Sequence, residues 1–264
     1  MGDLSKLHIV VLRAPRDADL LVDTLSSAGA RIHLLPVQKI ISLSEDSHEI
    51  GQQIEQIQSF DKAIFVSARA TQYALEWLER SDPTAKIGPA AKISAKCFAI
   101  GPASAHLLEK RKFAVTVPSH GSNSEALLAL SALRAVNGQK IIVFRGKGGR
   151  TILGDTLESR GASVEYCELY QRQIDERFKD QIFELLASGK PVLLLAHSGE
   201  IVDALLTITE RQNLDIIFSA PIVVPGTRVQ RYAGESGFKT VVAAASAIAE
   251  DMEAAVRGWY TQTM

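Results

Sequence analysis

IIVFRGKGGRTILGDTLESRGASVEYCELY, residues 141–170, restates the grammar of IVVLRAPRDADLLVDTLSSAGARIHLLPVQ, residues 9–38. Each opens on an apolar run, turns through a polar segment beginning with arginine, carries Asp-Thr-Leu and Ser late in a helical stretch, breaks at Gly-Ala and ends in a second extended run. A run that is apolar at consecutive rather than alternate positions belongs to a strand covered on both faces, the condition of a parallel sheet. Leu21, Leu25 and Ala28 recur at helical spacing until Gly29 ends the pattern. This predicts a strand within Leu7 to Leu12, a helix, and a second strand from Arg31 to Val37. Each copy is a βαβ unit.

Two further pairs extend the repeat. AIFVSARATQYALEWLER (63–80) matches LLLAHSGEIVDALLTITE (193–210), each a strand, a small polar turn and a helix. The segment from Cys97, CFAIGPASAHLLEKRKFAVTVPS, matches the one from Pro221, PIVVPGTRVQRYAGESGFKTVVAAAS. Closing helices follow in SNSEALLALSALRAV and ASAIAEDMEAAVRGWY, with Ser124 as a cap of the first from the turn it shares with Asn123. The chain therefore reads as two copies of one α/β pattern, with parallel strands buried by helices on both faces. The simplest cut falls near Asn137-Gly138. Polar stretches after Ile41 and after Gln171 are alternative places for the chain to cross between domains, and pattern alone leaves the choice open.

The 264 residues suit two domains, and 46% hydrophobic with 22% charged residues is a globular composition. Lys plus Arg number 29 against 30 for Asp plus Glu, so no overall field steers the chain toward nucleic acid; an anionic partner has to be caught locally. Cys97 and Cys167 each sit in an apolar strand-like run, which points to buried thiols in a reducing compartment rather than a disulfide framework. No apolar run approaches a membrane span or a signal segment, so the expected location is cytoplasmic. The start Met-Gly-x-x-Ser meets an acylation pattern superficially, and without a polybasic patch such an anchor is weak.

The candidate chemistry lies in the turns that follow the strands, because open α/β sheets present ligand sites at the carboxyl ends of their strands. VFRGKGGR (143–150) fails the phosphate-loop spacing, since its lysine precedes the last glycines and no hydroxyl follows it; it also lacks G-x-G-x-x-G. What remains is a set of N–H groups at Gly146, Gly148 and Gly149 before a helix, flanked by Arg145, Lys147 and Arg150: a lip for a carboxylate or phosphate, or a merely solvated turn. The equivalent first turn supplies Arg13 and Arg16, while Asp17 and Asp19 read as helix-start charges. Other turns supply Ser67 and Arg69; His197, Ser198 and Gly199; Gly101, Pro102 and Ser104; and Gly226, Thr227 and Arg228. The six histidines have no metal-ligand spacing, and no G-x-S-x-G elbow occurs. Tyr170 ends the strand SVEYCELY at a chain crossing, where its phenol either packs as a hinge residue or donates a hydrogen bond or proton to a ligand.

These pieces, in this order and spacing, resemble the uroporphyrinogen-III synthase family. The resemblance runs through the arginine and proline after the first strand, FVSARA, AIGPASA, VPSHGSNSEALL, the block from VFRGKGGR to ELYQR, GTRV and GFKTVVAA. It implies two α/β domains with parallel sheets flanked by helices, joined by a two-stranded connection, with the active site in the intervening cleft. Carried onto this chain, residues 1–37 with 172–264 form a discontinuous domain around an inserted domain, 38–171, and Val37 to Ile41 pairs with Glu168 to Arg172 as the connecting ladder.

The implied reaction, in tetrapyrrole and heme biosynthesis, converts hydroxymethylbilane to uroporphyrinogen III by loss of water, ring closure and inversion of ring D through a spiro intermediate. It needs no metal or organic cofactor. The implied partner is that small molecule, a linear tetrapyrrole with eight carboxylates, rather than nucleic acid or membrane, and the implied state is a monomer. Tyr170 looks like the family's tyrosine that assists hydroxyl departure, a provisional general acid. Ser67, Gly101, Ser104 and Thr227 match other groups of the family pattern, whereas His197 stands where relatives commonly carry serine or threonine. Arg13, Arg69, Arg145, Lys147, Arg150, Ser198 and Arg228 complete the substrate-binding candidates. The rival readings are a non-enzymatic two-domain binder of a small polyanion, and a nucleotide-dependent enzyme whose phosphate loop this sequence lacks.

Overall fold

The structure, a computed structural model, describes residues 3–14, 19–43, 47–80 and 93–263. The acylation pattern at Gly2, and Arg16 and Asp17 of the first turn, lie outside the described residues. In chain order the elements begin β1 (His8–Val11), α1 (Asp19–Ser27), β2 (Arg31–Leu34), β3 (Gln38–Ser42), α2 (His48–Glu55), β4 (Lys62–Phe65) and α3 (Ala68–Arg80). They continue with β5 (Lys96–Ala99), α4 (Pro102–Glu109), β6 (Val115–Thr116), α5 (Ser124–Ala129), α6 (Ser131–Arg134), β7 (Lys140–Gly146), α7 (Ile152–Ser159) and β8 (Ser163–Ile174). Last come α8 (Lys179–Ala187), β9 (Val192–Leu195), α9 (Gly199–Ile208), α10 (Leu214–Ser219), β10 (Ile222–Pro225), α11 (Gly226–Glu235), β11 (Val241–Ala244) and α12 (Ala249–Thr263).

The chain divides into two compact units, residues 1–39 with 173–264 and residues 40–172. The first unit holds a five-stranded sheet in the order β11-β10-β9-β1-β2, and the second a six-stranded sheet in the order β3-β8-β7-β4-β5-β6. Matching β1 with β7, β2 with β8, β9 with β4, β10 with β5 and β11 with β6 turns one order into the other. The two sheets are circular permutations of a single 2-1-3-4-5 arrangement, with β3 added outside β8. The sequence repeat is therefore real but is dealt out across the units, and residues 137–138 lie inside the second of them.

Apart from the β3–β8 ladder, the strand pairs are parallel. Between β3 and β8 the N–H of Leu43 bonds the carbonyl of Leu169 and the N–H of Asp175 bonds that of Val37, so rising numbers on one meet falling numbers on the other and the ladder is antiparallel. Both strands contain a chain crossing, at 39/40 and 172/173. The expected strand Arg31–Val37 is cut short at Leu34. Leu35 and Val37 still donate to the Val11 and Leu12 carbonyls, but the regular ladder has ended, and β3 then starts a pairing of its own.

Alternate residues of each strand feed opposite cores. In the second unit, Ala63, Phe65, Ile142 and Phe144 pack with Ala70, Ala74 and Leu108 of α3 and α4. Their neighbours Ile64, Ile141 and Val143 pack with Leu127, Leu153 and Leu157 of α5 and α7. In the first unit, Val10, Leu12 and Leu194 face Val202 and Leu205 of α9, while Ile9, Val11 and Leu193 face Leu21 and Leu25 of α1 and Val256 of α12. Double-sided burial explains the unbroken apolar runs. Gly29, at φ 93, supplies the left-handed turn that ends α1. The cap of α5 is Asn123, whose side chain accepts the Ala126 N–H at 2.8 Å, so Ser124 is the first helical residue and not the cap.

Both cysteines are free and buried. Burial pushes the Cys97 thiol up to about 11; burial, with Glu49 adding repulsion, pushes Cys167 up to about 12. The folded protein at pH 8 is expected to leave both thiols unreacted with iodoacetamide over a period that fully alkylates the urea-unfolded chain, as counted by mass spectrometry. Modification of either at the unfolded rate would contradict this burial.

Candidate active site

A ligand crevice opens in a 2-1-3-4-5 sheet where neighbouring strands send their helices to opposite faces, at the strands' carboxyl ends. In the second unit those strands are β7 and β4, since α7 packs on one face and α3 on the other. In the first they are β1 and β9, followed by α1 and α9. Arg145 through Arg150 and Ser67 thus stand at one switch point, and Arg13, His197 and Ser198 at the other.

In the second unit, the glycines of RGKGG serve three distinct purposes. Gly148 has φ 78, a conformation that favours glycine. A Cβ on Gly149 would lie 2.5 Å from Arg145 Nη2, and a Cβ on Gly146 would lie 2.5 Å from Cε2 and Cζ of Tyr170. Arg145 is only 6% exposed. Its Nε donates to the Gly146 carbonyl at 3.1 Å and its Nη1 to the Arg150 carbonyl at 3.4 Å, so it clasps both ends of its own turn. The guanidinium lies 4.6 Å from the centre of the Tyr166 ring, with Glu168 Oε1 at 3.9 Å from Nε. Lys147 and Arg150 are exposed, and Arg150 pairs with Glu125 at 3.2 Å.

Tyr170 is 4% exposed and lies in the same unit. Its hydroxyl is 3.4 Å from Ser67 Oγ, its ring centre is 5.9 Å from that of Tyr73, and Arg172 lies 5.9 Å from the ring centre. Ser67 caps α3, its Oγ accepting the Ala70 N–H at 3.0 Å. Arg69 is half-buried in the first turn of that helix. Gly101 precedes α4 in extended conformation, and a Cβ there would lie 2.8 Å from Ser122 Oγ, which brings the SHGSN turn over the start of α4. Ser104 is buried in the first turn of α4, at 2% exposure. Tyr73, Tyr166, Ser122 and Glu125 were not singled out from the sequence: they sit within helices, strands and turns without motif spacing, and only the fold brings them to the strand ends.

In the first unit, Arg13 and His197 follow the adjacent strands β1 and β9. His197 Nδ1 is buried with no hydrogen-bond partner. Ser198 precedes α9 as Ser67 precedes α3: the Ser198 carbonyl accepts from Val202, the Ser67 carbonyl from Thr71. The pairing of residues 63–80 with 193–210 is therefore one residue out of structural register. Ser198, not His197, is the counterpart of Ser67, so a serine stands at the cap position in both units, although only the Ser67 hydroxyl accepts a helix N–H, and the histidine stands one position earlier. Thr227 and Arg228, in the first turn of α11, follow Gly226 at φ 70. Among the described residues, no group of three or more His, Cys, Asp or Glu could hold a metal ion. His8 and His33 instead hydrogen-bond each other, Nδ1 to Nε2 at 3.0 Å.

Burial, reinforced by the Arg13 charge, pulls the His197 imidazole down to about 3. Because its folded pKa lies below the unfolded value, the unfolded chain takes up the proton first, and this group removes stability as pH falls below about 6.5. The His197 ring signals in an NMR titration are expected to stay those of neutral imidazole from pH 7.5 to pH 5. A midpoint near 6.5 would contradict the buried placement.

Comparison with known proteins agrees with this architecture. The family model described as "Uroporphyrinogen-III synthase HemD" matches residues 19–254. The uroporphyrinogen-III synthase of Salmonella typhimurium is 25% identical over 243 residues, covering 91% of this chain and 96% of that protein. The Proteus mirabilis enzyme is 26% identical over 205 residues, 76% of this chain and 98% of that one. In fold, the chain resembles a crystal structure of a mutant uroporphyrinogen III synthase from the extreme thermophile Thermus thermophilus, with TM-score 0.63 at 17% identity, covering 97% of this chain and 98% of that one. It also resembles the uroporphyrinogen-III synthetase of Helicobacter pylori, with TM-score 0.61 at 14% identity over 96% and 99% of the two chains. With the family model spanning most of the sequence and the two-unit fold shared, the chain belongs to the uroporphyrinogen-III synthase family.

Proposed function

We propose that this chain closes hydroxymethylbilane into uroporphyrinogen III with inversion of ring D. The observation that carries the reading is the family match across residues 19–254, and the polar make-up of the strand-end turns supports it. Departure of the substrate's hydroxyl leaves a cation conjugated with a pyrrole nitrogen. Unassisted closure of that cation gives the unrearranged ring. The enzyme has to direct attack to the substituted position of ring D, giving a spiro intermediate that fragments and recloses. That task is orientation and exclusion of a competing path, which calls for many weak anchors rather than a strong nucleophile.

Eight carboxylates offer those anchors, and the turns present matching donors. In the second unit these are the N–H groups of residues 148–150 with the Lys147 side chain, and the start of α4 at Gly101. In the first unit Arg13, Ser198, Thr227 and Arg228 are the donors we assign. Arg150, held by Glu125, and Arg145, turned into its own loop, have weaker claims.

Tyr170 is the proposed general acid. As the C–O bond of the hydroxymethyl group breaks, the phenol proton passes to the leaving oxygen and water departs. Ser67 Oγ, 3.4 Å from the phenol oxygen, steadies the hydroxyl for this transfer.

Freshly generated hydroxymethylbilane, incubated with the protein and without added metal or nucleotide, is expected to yield isomer III in place of isomer I on chromatography. Isomer I alone would leave the chain a polyanion binder and end the proposal. Tyr170→Phe is expected to lower kcat by about 100-fold, the scale of general acid catalysis, with KM little changed. Wild-type turnover in that variant would remove the acid role.

A further inference from the structure

We infer that Arg145 and Gly146 are positioning residues that mount Tyr170, rather than parts of a substrate-binding lip. The inference rests on the catalytic reading of Tyr170 for its functional meaning, while its geometric content stands by itself.

Three features converge on one peptide group, the one joining Gly146 to Lys147. Its carbonyl oxygen accepts from Arg145 Nε at 3.1 Å. Its N–H, carried by Lys147, donates to the Tyr170 carbonyl at 2.7 Å. The ladder between β7 and β8 shifts register at this point, with Arg145 opposite Glu168 but Gly146 opposite Tyr170. One extra residue, Leu169, is thus accommodated on β8, and a bulge of this kind re-aims the side chain that follows it.

The Tyr170 ring then lies against the face of Gly146 where any other residue would place its Cβ, 2.5 Å from the ring carbons and 3.0 Å from the hydroxyl oxygen. Gly146 does not have a left-handed backbone, since its φ is outside the positive range that Gly148 occupies. The glycine is there for the ring. A backbone shift or a swing of the tyrosine is the only relief for an added methyl, and the swing would carry the phenol oxygen away from Ser67.

Arg145 completes the mount from beneath. Its low exposure, its clasp on the Gly146 and Arg150 carbonyls, and its packing on Tyr166 leave it turned toward its own turn. Removing it would free the peptide that bonds the Tyr170 carbonyl. A lost carboxylate anchor weakens substrate binding, whereas a lost mount weakens the chemical step; kinetics separate the two.

The test uses Gly146→Ala, Arg145→Met and Arg145→Lys in the full-length protein, with isomer III formation as the assay. The first two variants are expected to lose at least about tenfold in kcat while KM stays within about twofold, the pattern of a lost transition-state contact. Arg145→Lys, which still supplies a donor to the Gly146 carbonyl, is expected to recover part of the loss. In a Tyr170→Phe background, Gly146→Ala is expected to add little further loss, because the two changes disable one element.

A readout independent of catalysis is the ¹⁹F resonance of 3-fluorotyrosine placed at position 170, expected to shift in both Gly146→Ala and Arg145→Met. An unmoved resonance in both variants would overturn the mount whatever the kinetics. A raised KM with unchanged kcat in Arg145→Met would restore the carboxylate-binding role and overturn the inference for Arg145. Wild-type turnover in Tyr170→Phe alongside shifted resonances would instead overturn the acid role and leave the geometric mount standing.

Discussion

Each sheet is buried on both faces, and this constraint determines where chemistry can occur. Once helices cover both sides of a parallel sheet, polar side chains on the strands themselves have no water and few partners. The turns at the strands' carboxyl ends escape that limit. There the first N–H groups of the following helices are unpaired within the helix and carry partial positive charge. Both units have the same strand order up to permutation, so each presents this feature between its first and third strands. Arg13 with Ser198 in one unit and Arg145 with Ser67 in the other are duplicated positions of a single plan.

The duplicates have diverged in use. Arg145 is folded into its own turn over Gly149 and against the Tyr166 ring, and its neighbour Gly146, at a bulge, seats Tyr170 of the adjacent strand. The corresponding turn of the first unit has Ala14 where the second has Gly146. That unit instead places a buried, unpartnered imidazole nitrogen at His197, kept neutral by burial and the neighbouring Arg13 charge. One unit holds a phenol in a fixed seat and the other holds a neutral imidazole beside a cation.

Much of the fold could be read from residues because burial writes itself into pattern. The unbroken apolar runs of β1, β7 and β9 gave the parallel sheets, and Gly29 and Gly161 gave the helix ends. The apolar residues after Arg31 continue to Val37 and keep isolated hydrogen bonds to Val11 and Leu12, while the regular ladder ends at Leu34, a difference the pattern of apolar residues does not display. Helix capping was one residue out at Ser124, where the choice between adjacent Asn and Ser depends on backbone angles that a sequence does not display. The match between the third strands also slipped by one, because Leu-rich runs align equally well in either register and only the face each residue occupies decides. The candidate site was legible as a set of turns but not as contacts. Arginine and glycine in VFRGKGGR look the same whether they greet a ligand or hold a tyrosine, and that difference resides in a bulge and in a ring from a segment farther along the chain.

Amide hydrogen exchange with and without bound uroporphyrinogen III distinguishes ligand chemistry at the carboxyl strand ends of both units from binding elsewhere on the sheets. Slowed exchange is expected in the turns at residues 67–70, 101–104, 146–151, 197–200 and 226–229, with the opposite strand ends near residues 61, 139 and 191 unchanged. Protection confined to those opposite ends, or to neither set, would contradict it.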